Sequence, residues 1–421
     1  MQIEIPYGSG AVEVVLPRGV EVVRLLEPPA AESAQAEVRR AMDEPIGSPP
    51  LHQLARGRSD AAIVINDLTR PAPSALMLEE ILRDLNAAGI GEDRVTVVVA
   101  CGNHRPNTPA EIREMVGAEL ALRLRIVNHD SQDGDQLTYL GETEVGLPVW
   151  VHSAVASASL VVVTGVIAPH HGAGFSGGRK SAVPGVAGLE TIKRLHSFPI
   201  LPYGPAIGWM EGNPMHEAAV AGARLLGVDF CLNVVETPLG KVFRAVAGDV
   251  ERAHEAGVRA CEDTWTIKVP QRFDVVIVSP GGYPRDIDLH QSQKAMSTAE
   301  LVVKEGGIIV LIAECADGIG KFASWLLEAG TPQEVIERFR GEGFTGGQSF
   351  KAFYCARALA EHPVLVASRI EGGDLERMFF RPAPSPQAAI DEAMRLAGPE
   401  ASVLVLPHAV HCIPTVVPDG R

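Results

Sequence analysis

Three short stretches combine residue types able to carry out proton and anion chemistry. Thr164–Gly185 reads TGVIAPHHGAGFSGGRKSAVPG, with His170 and His171 adjacent, an Arg179-Lys180 pair and five glycines from Gly172 to Gly185. Glycines let a backbone approach a ligand closely, and successive amides beside a lysine suit an anion such as phosphate. Asp67-Leu68-Thr69-Arg70-Pro71 and Gly102-Asn103-His104-Arg105-Pro106 add a carboxylate, further cations and another imidazole. Histidine titrates near neutrality and serves as base and then as acid. The Gly-rich stretch is not a Walker A loop, because Arg179 separates Lys180 from the preceding glycine. Taken alone, it is equally an ordinary strand-to-helix connection, and a lone loop histidine is more often structural than catalytic.

The elements around these stretches give them a common position. Leu160–Val163 reads as a buried strand ending at Gly165, and Ala61–Ile65, Arg94–Ala100 and Leu122–Val127 read as strands that run into polar turns. Helices are expected over 74–88, from Pro109 to Val116 and over 188–196. This alternation predicts an open, largely parallel sheet with helices on both faces, and ligands gather at the carboxyl ends of such strands. A second α/β unit begins near Phe273, with a strand at Asp274–Val278. Gln291-x-x-Lys294 follows on a helix reaching about Lys304, and a helix from Ser349 to Ala360 carries Tyr354. The expected fold is α/β with two Rossmann-like domains, 1–270 and 271–421, and an active-site cleft between them. Gln2–Pro6 and Ala11–Leu16 are expected as a hairpin within the first domain.

Bulk composition narrows the function. The 421 residues carry a net charge of −15, which disfavours nucleic acid and anionic membranes but leaves room for a small anion in a local basic pocket. Six cysteines stand singly, without a C-x-x-C pair, so a disulfide framework is not expected. Neither a signal-peptide pattern nor an uninterrupted apolar span is evident, and a cytoplasmic protein is expected. His408-x-x-His411 has a spacing that suits a metal but no evident third ligand, so a structural role is expected there.

Together the clusters resemble the nickel-dependent lactate racemase family of hydroxyacid racemases and epimerases, over nearly the whole chain. The resemblance rests on Pro169-His170, Gly174-Phe175-Ser176-Gly177-Gly178-Arg179-Lys180 and Pro184-Gly185. Asp67-x-Thr69-Arg70-Pro71, Gly102–Pro106, His196 and Gln291-x-x-Lys294 match in order and spacing. It implies a nickel-pincer nucleotide, the nickel complex of pyridinium-3,5-bisthiocarboxylic acid mononucleotide. His196 would complete a square-planar nickel site with soft donors, a geometry that suits nickel. Lys180 would be the lysine able to bind the cofactor covalently. His104 and His170 would be the acid/base pair, Arg70 and Lys294 would hold the substrate carboxylate, and Gln291 would contact the substrate. Asp67 and Thr69 would help build the nucleotide site, with the amides of Ser176, Gly177, Gly178 and Arg179 at its phosphate. His171 would point away from His170. Separate biosynthesis proteins would supply the pincer.

The implied reaction inverts C2 of a 2-hydroxy acid. Hydride leaves to the pyridinium while a histidine takes the hydroxyl proton, giving a 2-keto acid that is reduced again on its other face. Tyr354 stands where the family carries a pocket tryptophan, which opens the substrate to lactate, longer aliphatic, aromatic or sugar acids. Two rivals remain at this stage. One is a carrier of the nucleotide without turnover of its own. The other is a zinc hydrolase using His104, His170 and His196, although no H-E-x-x-H pattern is present.

Overall fold

The structure, a computed structural model, describes residues 1–17, 19–23, 27–320, 322–345 and 349–417. Two compact units emerge. One comprises Glu27–Pro202 and Gly208–Thr264; the other gathers the chain before Glu27, Tyr203–Ile207 and the chain from Trp265 onward.

The first unit is built on strands that are apolar without alternation. Ala61–Ile65 are all buried, as are Val161–Gly165 and Val97–Val99. Continuous burial is what a parallel strand covered on both faces requires. Ala61–Asn66, Val95–Ala100, Arg125–Asn128, Val161–Ile167 and Phe230–Glu236 run parallel, and Val242–Gly248 pairs antiparallel with Phe230–Glu236. The order across the sheet is Val242–Gly248, Phe230–Glu236, Val161–Ile167, Ala61–Asn66, Val95–Ala100, Arg125–Asn128. From Ala61–Asn66 the chain therefore builds outward in one direction, then returns to that strand's other side with Val161–Ile167. The switch point of the sheet lies between those two strands, where parallel α/β sheets open a crevice for ligands. Helix Ser74–Ala87 places Met77, Leu78, Ile81, Leu82 and Leu85 in the core, the i, i+4 stripe of a one-sided helix. Thr108 and Glu111 form a reciprocal cap that starts Pro109–Val116 directly after the His104 loop.

In the second unit the main sheet is wholly parallel. Its order is Arg381–Ala383, Val364–Ala367, Val303–Ile312, Phe273–Val278, Val403–Leu406, Glu21–Val22. The α/β class and the parallel sheets are as the sequence predicts. The expected 1–270 grouping is corrected at its start, because the hairpin Gln2–Tyr7 and Gly10–Val15 belongs to this second unit. Ile5, Val14 and Leu16 bury in the same core as Val275, Ile277, Val310 and Val405. The hairpin turn is also pinned there, since Gly8 N donates to Asp286 Oδ2 at 2.7 Å and Tyr283 N to Gly8 O at 2.7 Å.

Two local expectations are also corrected. Leu122 lies on a short helix, Ala118–Arg123, and the strand starts only at Arg125. The glycine at 117, at φ +83°, ends one helix and starts the next, which leaves Leu122 85% exposed. The helix that carries Lys294 stops at Ala299, and the valines at 302 and 303 lead into strand Val303–Ile312 instead. No described helix is long and apolar enough to cross a membrane.

Candidate active site

The loop after Ala61–Asn66 folds back on itself, with Arg70 N donating to Asp67 O at 3.0 Å and Asn66 Nδ2 to Arg70 O at 3.2 Å. This turn buries Asp67 and leaves Arg70 exposed. The neighbouring loop is stitched to it. Leu68 N donates to Asn107 Oδ1 at 3.1 Å, and Asn107 N donates to Asn128 Oδ1 at 3.0 Å. The stitching brings His104 Nδ1 to 2.7 Å from Asp67 Oδ2, while Thr69 Oγ1 donates to Asp67 Oδ1 at 2.9 Å. A carboxylate acceptor puts the imidazole proton on Nδ1 and the lone pair on Nε2. A buried acid thereby holds the His104 ring with its lone pair on Nε2, as the aspartate does in a Ser-His-Asp triad. Asp67 and Thr69 were expected at the nucleotide. Their side-chain oxygens are committed to His104 and to each other.

His170 has the opposite setting. Its Nδ1 accepts from the backbone N–H of Gly172 and of Ala173, each at 3.1 Å. The neutral ring therefore carries its proton on Nε2. The ring of His171 does not point elsewhere. It stacks on His170 with centroids 4.6 Å apart and 17° between the planes. The strand that delivers Arg70 lies between those that deliver His104 and His170. Arg70 makes no side-chain hydrogen bond or ion pair with the described residues, so its guanidinium is open to an anionic ligand.

The Gly-rich loop is only partly open. Ser176 N donates to Ala168 O at 2.9 Å, its hydroxyl donates to Val166 O at 2.7 Å, and Gly178 N donates to Asn233 Oδ1 at 3.0 Å. The expected cradle of four amides thus narrows to those of Gly177 and Arg179. The side chain of Arg179 is buried and turns inward, donating to Ala173 O at 2.8 Å and to His254 Nε2 at 2.7 Å. Lys180 is 8% exposed. Burial first, and then the charges of Arg70 and Arg179, hold its amine well below the ordinary lysine pKa.

Gly178 is required by this packing. It sits at φ +53°, and a Cβ there would lie 2.8 Å from carbon atoms of the His254 ring. Gly178→Ala is expected to lower the stability of this unit by about 3 kcal/mol, from backbone strain and overpacking together. Urea unfolding followed by circular dichroism checks this, and an unchanged midpoint would refute it.

His196 caps the end of helix Leu189–Leu195, and its Nδ1 is 2.9 Å from Ile192 O. That hydrogen bond fixes the proton on Nδ1 and leaves the lone pair on Nε2. Among the described residues, no group of three or more His, Cys, Asp and Glu is placed to hold a metal ion. A zinc hydrolase built on His104, His170 and His196 therefore lacks a ligand set there.

Residues 7–203 match the lactate racemase N-terminal domain, and residues 269–414 match the lactate racemase C-terminal domain. The lactate racemase of Thermoanaerobacterium thermosaccharolyticum is 33% identical over 423 aligned residues, covering 98% of each chain. This chain belongs to the lactate racemase family. A second lactate racemase, from Lactiplantibacillus plantarum, is 33% identical and covers 90% of this chain and 91% of that one. The apoprotein structure of the Thermoanaerobacterium thermosaccharolyticum enzyme matches with a TM-score of 0.91 at 32% identity, over 98% of this chain and 100% of that one. A Thermotoga maritima protein shares the fold, with a TM-score of 0.68 at 17% identity over 93% of this chain and all of that one.

The remaining expected residues of this lactate racemase family member lie in the second unit. Gln291 and Lys294 sit one turn apart on helix Leu289–Ala299, and Lys294 Nζ donates to Gln291 Oε1 at 2.6 Å. Tyr354 is buried on helix Ser349–Glu361, its ring 5.3 Å from the Arg357 guanidinium carbon and 6.1 Å from Phe350. Burial raises its phenol above the ordinary tyrosine pKa. Asn233, His216 and His254, which pack behind the Gly-rich loop, escape sequence reasoning. Asn233 left one signal, a polar side chain inside the otherwise apolar run Phe230–Val235.

Proposed function

We propose that the chain is a racemase or epimerase that inverts C2 of a 2-hydroxy carboxylic acid through a 2-keto acid. The observation that carries this reading is the opposed setting of two imidazoles, with the proton on Nδ1 of His104 and on Nε2 of His170, on loops either side of Arg70, which is unpaired among the described residues. Arg70 would grip the substrate carboxylate and act as a pivot while the C2 substituents exchange faces. His104 Nε2 takes the hydroxyl proton of one enantiomer, and Asp67 stabilises the imidazolium that results. His170, on the opposite face, takes up a proton from solvent as it returns its Nε2 proton to the carbonyl oxygen, so the ring ends neutral. Turnover of the other enantiomer exchanges the two roles. In the second unit, Lys294 and Gln291 are proposed as further substrate-binding residues, with the amide orienting the ammonium.

The residues present fit the nickel-pincer nucleotide. His196 would hold nickel through Nε2, Lys180 would attach the nucleotide, and the amides of Gly177 and Arg179 would meet its phosphate. When bound, the group supplies an acceptor for the hydride leaving C2. Separate proteins that build the nucleotide are the implied partners. The decisive experiment uses nucleotide-loaded protein and a panel of 2-deutero-2-hydroxy acids. Racemisation with deuterium retained at C2 is expected, and exchange of C2 deuterium with solvent would overturn the hydride route.

A further inference from the structure

Behind the Gly-rich loop lies a buried cluster that the proposed reaction does not use. Arg179 is 1% exposed, its Nε has no partner among the described residues, and its other nitrogens donate to Ala173 O, Gly177 O and His254 Nε2. None of these acceptors is a carboxylate. Arginine keeps its proton, so Nε2 of His254 must be the acceptor and the imidazole proton sits on Nδ1. Ser176 O, 2.9 Å from that same Nε2, therefore receives no hydrogen from it. The ring of His216 stacks behind at 6.5 Å. Burial first, and then Arg179, keep both imidazoles uncharged. Two other inward-facing arginines of this chain are matched by acids. Arg357 has Glu300, and Arg39 has Glu80 and Asp84. At Arg179 the corresponding place is held by an imidazole.

We propose that His254 is a positioning residue for Lys180: it gives Arg179 a neutral acceptor in place of a carboxylate, and so leaves the guanidinium charge uncompensated beside the lysine amine. The charged groups acting on Lys180 are Arg70 and Arg179, and Asp67, which acts on Arg70, is committed to His104. His254 and His216 are the titratable groups against Arg179, and both are neutral. A buried amine acted on by two cations loses its proton readily and becomes a nucleophile. Use of that amine to attach the nucleotide rests on the function proposed above. The charge arrangement does not.

The test follows the 13Cε resonance of Lys180 against pH in nucleotide-free protein labelled with 13C-lysine, assigned by its loss in Lys180→Met. The wild-type midpoint is expected well below the ordinary lysine value. His254→Gln keeps a neutral acceptor and should leave the midpoint unchanged. His254→Glu supplies the missing carboxylate, and Arg179→Met removes the cation, so each should raise the midpoint by about one pH unit or more. An ordinary wild-type midpoint overturns the proposal, as do folded His254→Glu and Arg179→Met variants that titrate like wild type. Retention of nucleotide after desalting separates the two readings. Normal loading with an ordinary Lys180 midpoint defeats the charge arrangement alone. A depressed midpoint in a protein that takes no nucleotide leaves the arrangement standing and defeats the proposed function.

Discussion

Asp67→Asn is expected to lower kcat by about 10²–10⁴-fold while the fold and substrate binding persist. Asparagine has the shape of aspartate, so the packing of a residue only 3% exposed is preserved. Its amide can donate to His104 Nδ1, which would place the imidazole proton on Nε2 and remove the acceptor that a substrate hydroxyl needs. It also withdraws the negative charge that steadies the imidazolium. Steady-state racemisation of the panel substrate with nucleotide-loaded protein reads the loss. The double variant Asp67→Asn, His104→Ala should be no slower than His104→Ala alone, because the two residues act as one unit. Full additivity, or an unchanged kcat in Asp67→Asn, would refute the assignment of Asp67 as the residue that orients the base.

The largest effect on stability is expected from Glu300→Ala. Arg357 Nε donates to Glu300 Oε1 at 2.7 Å and Nη2 donates to Oε2, with the two side chains only 2% and 4% exposed. Nη1 of the same arginine donates to Tyr203 O at 2.7 Å, so the guanidinium also ties that segment into the second unit. Removing the carboxylate leaves an arginine buried without its counter-ion, which costs about 3–5 kcal/mol. Exchanging both partners for apolar residues of similar volume, Glu300→Leu with Arg357→Met, should recover most of the loss. Denaturant unfolding tests both, and two compact units make it necessary to follow a probe in each. A loss below about 1 kcal/mol for Glu300→Ala would show the pair to be better hydrated than its burial indicates.

The clusters at strand ends were legible because their physics is local. An apolar run followed by Asp-x-Thr-Arg-Pro, or by Gly-Asn-His-Arg-Pro, states both a buried parallel strand and a polar loop at its carboxyl end. Lys180 and His196 are singled out only by their order and spacing within the family resemblance. The hairpin at the N-terminus was legible as a hairpin, but not as part of the second unit. Its apolar face carries no mark of which core will cover it, and Ile5, Val14 and Leu16 would suit either.

By itself, then, the sequence determined the α/β class, the chemistry-bearing loops and the family, since each follows from periodicity and residue order along the chain. The tertiary structure alone decided how those side chains divide their hydrogen bonds. Asp67 and Thr69 turn to His104, Arg179 turns inward to His254, and His171 stacks on His170. Which nitrogen of each histidine carries its proton follows from partners distant in sequence, such as Asp67 for His104, or from the local path of the backbone at Gly172 and Ala173. A hydrogen bond is directional and short-ranged, so it is fixed only once the sheet has set its strands side by side.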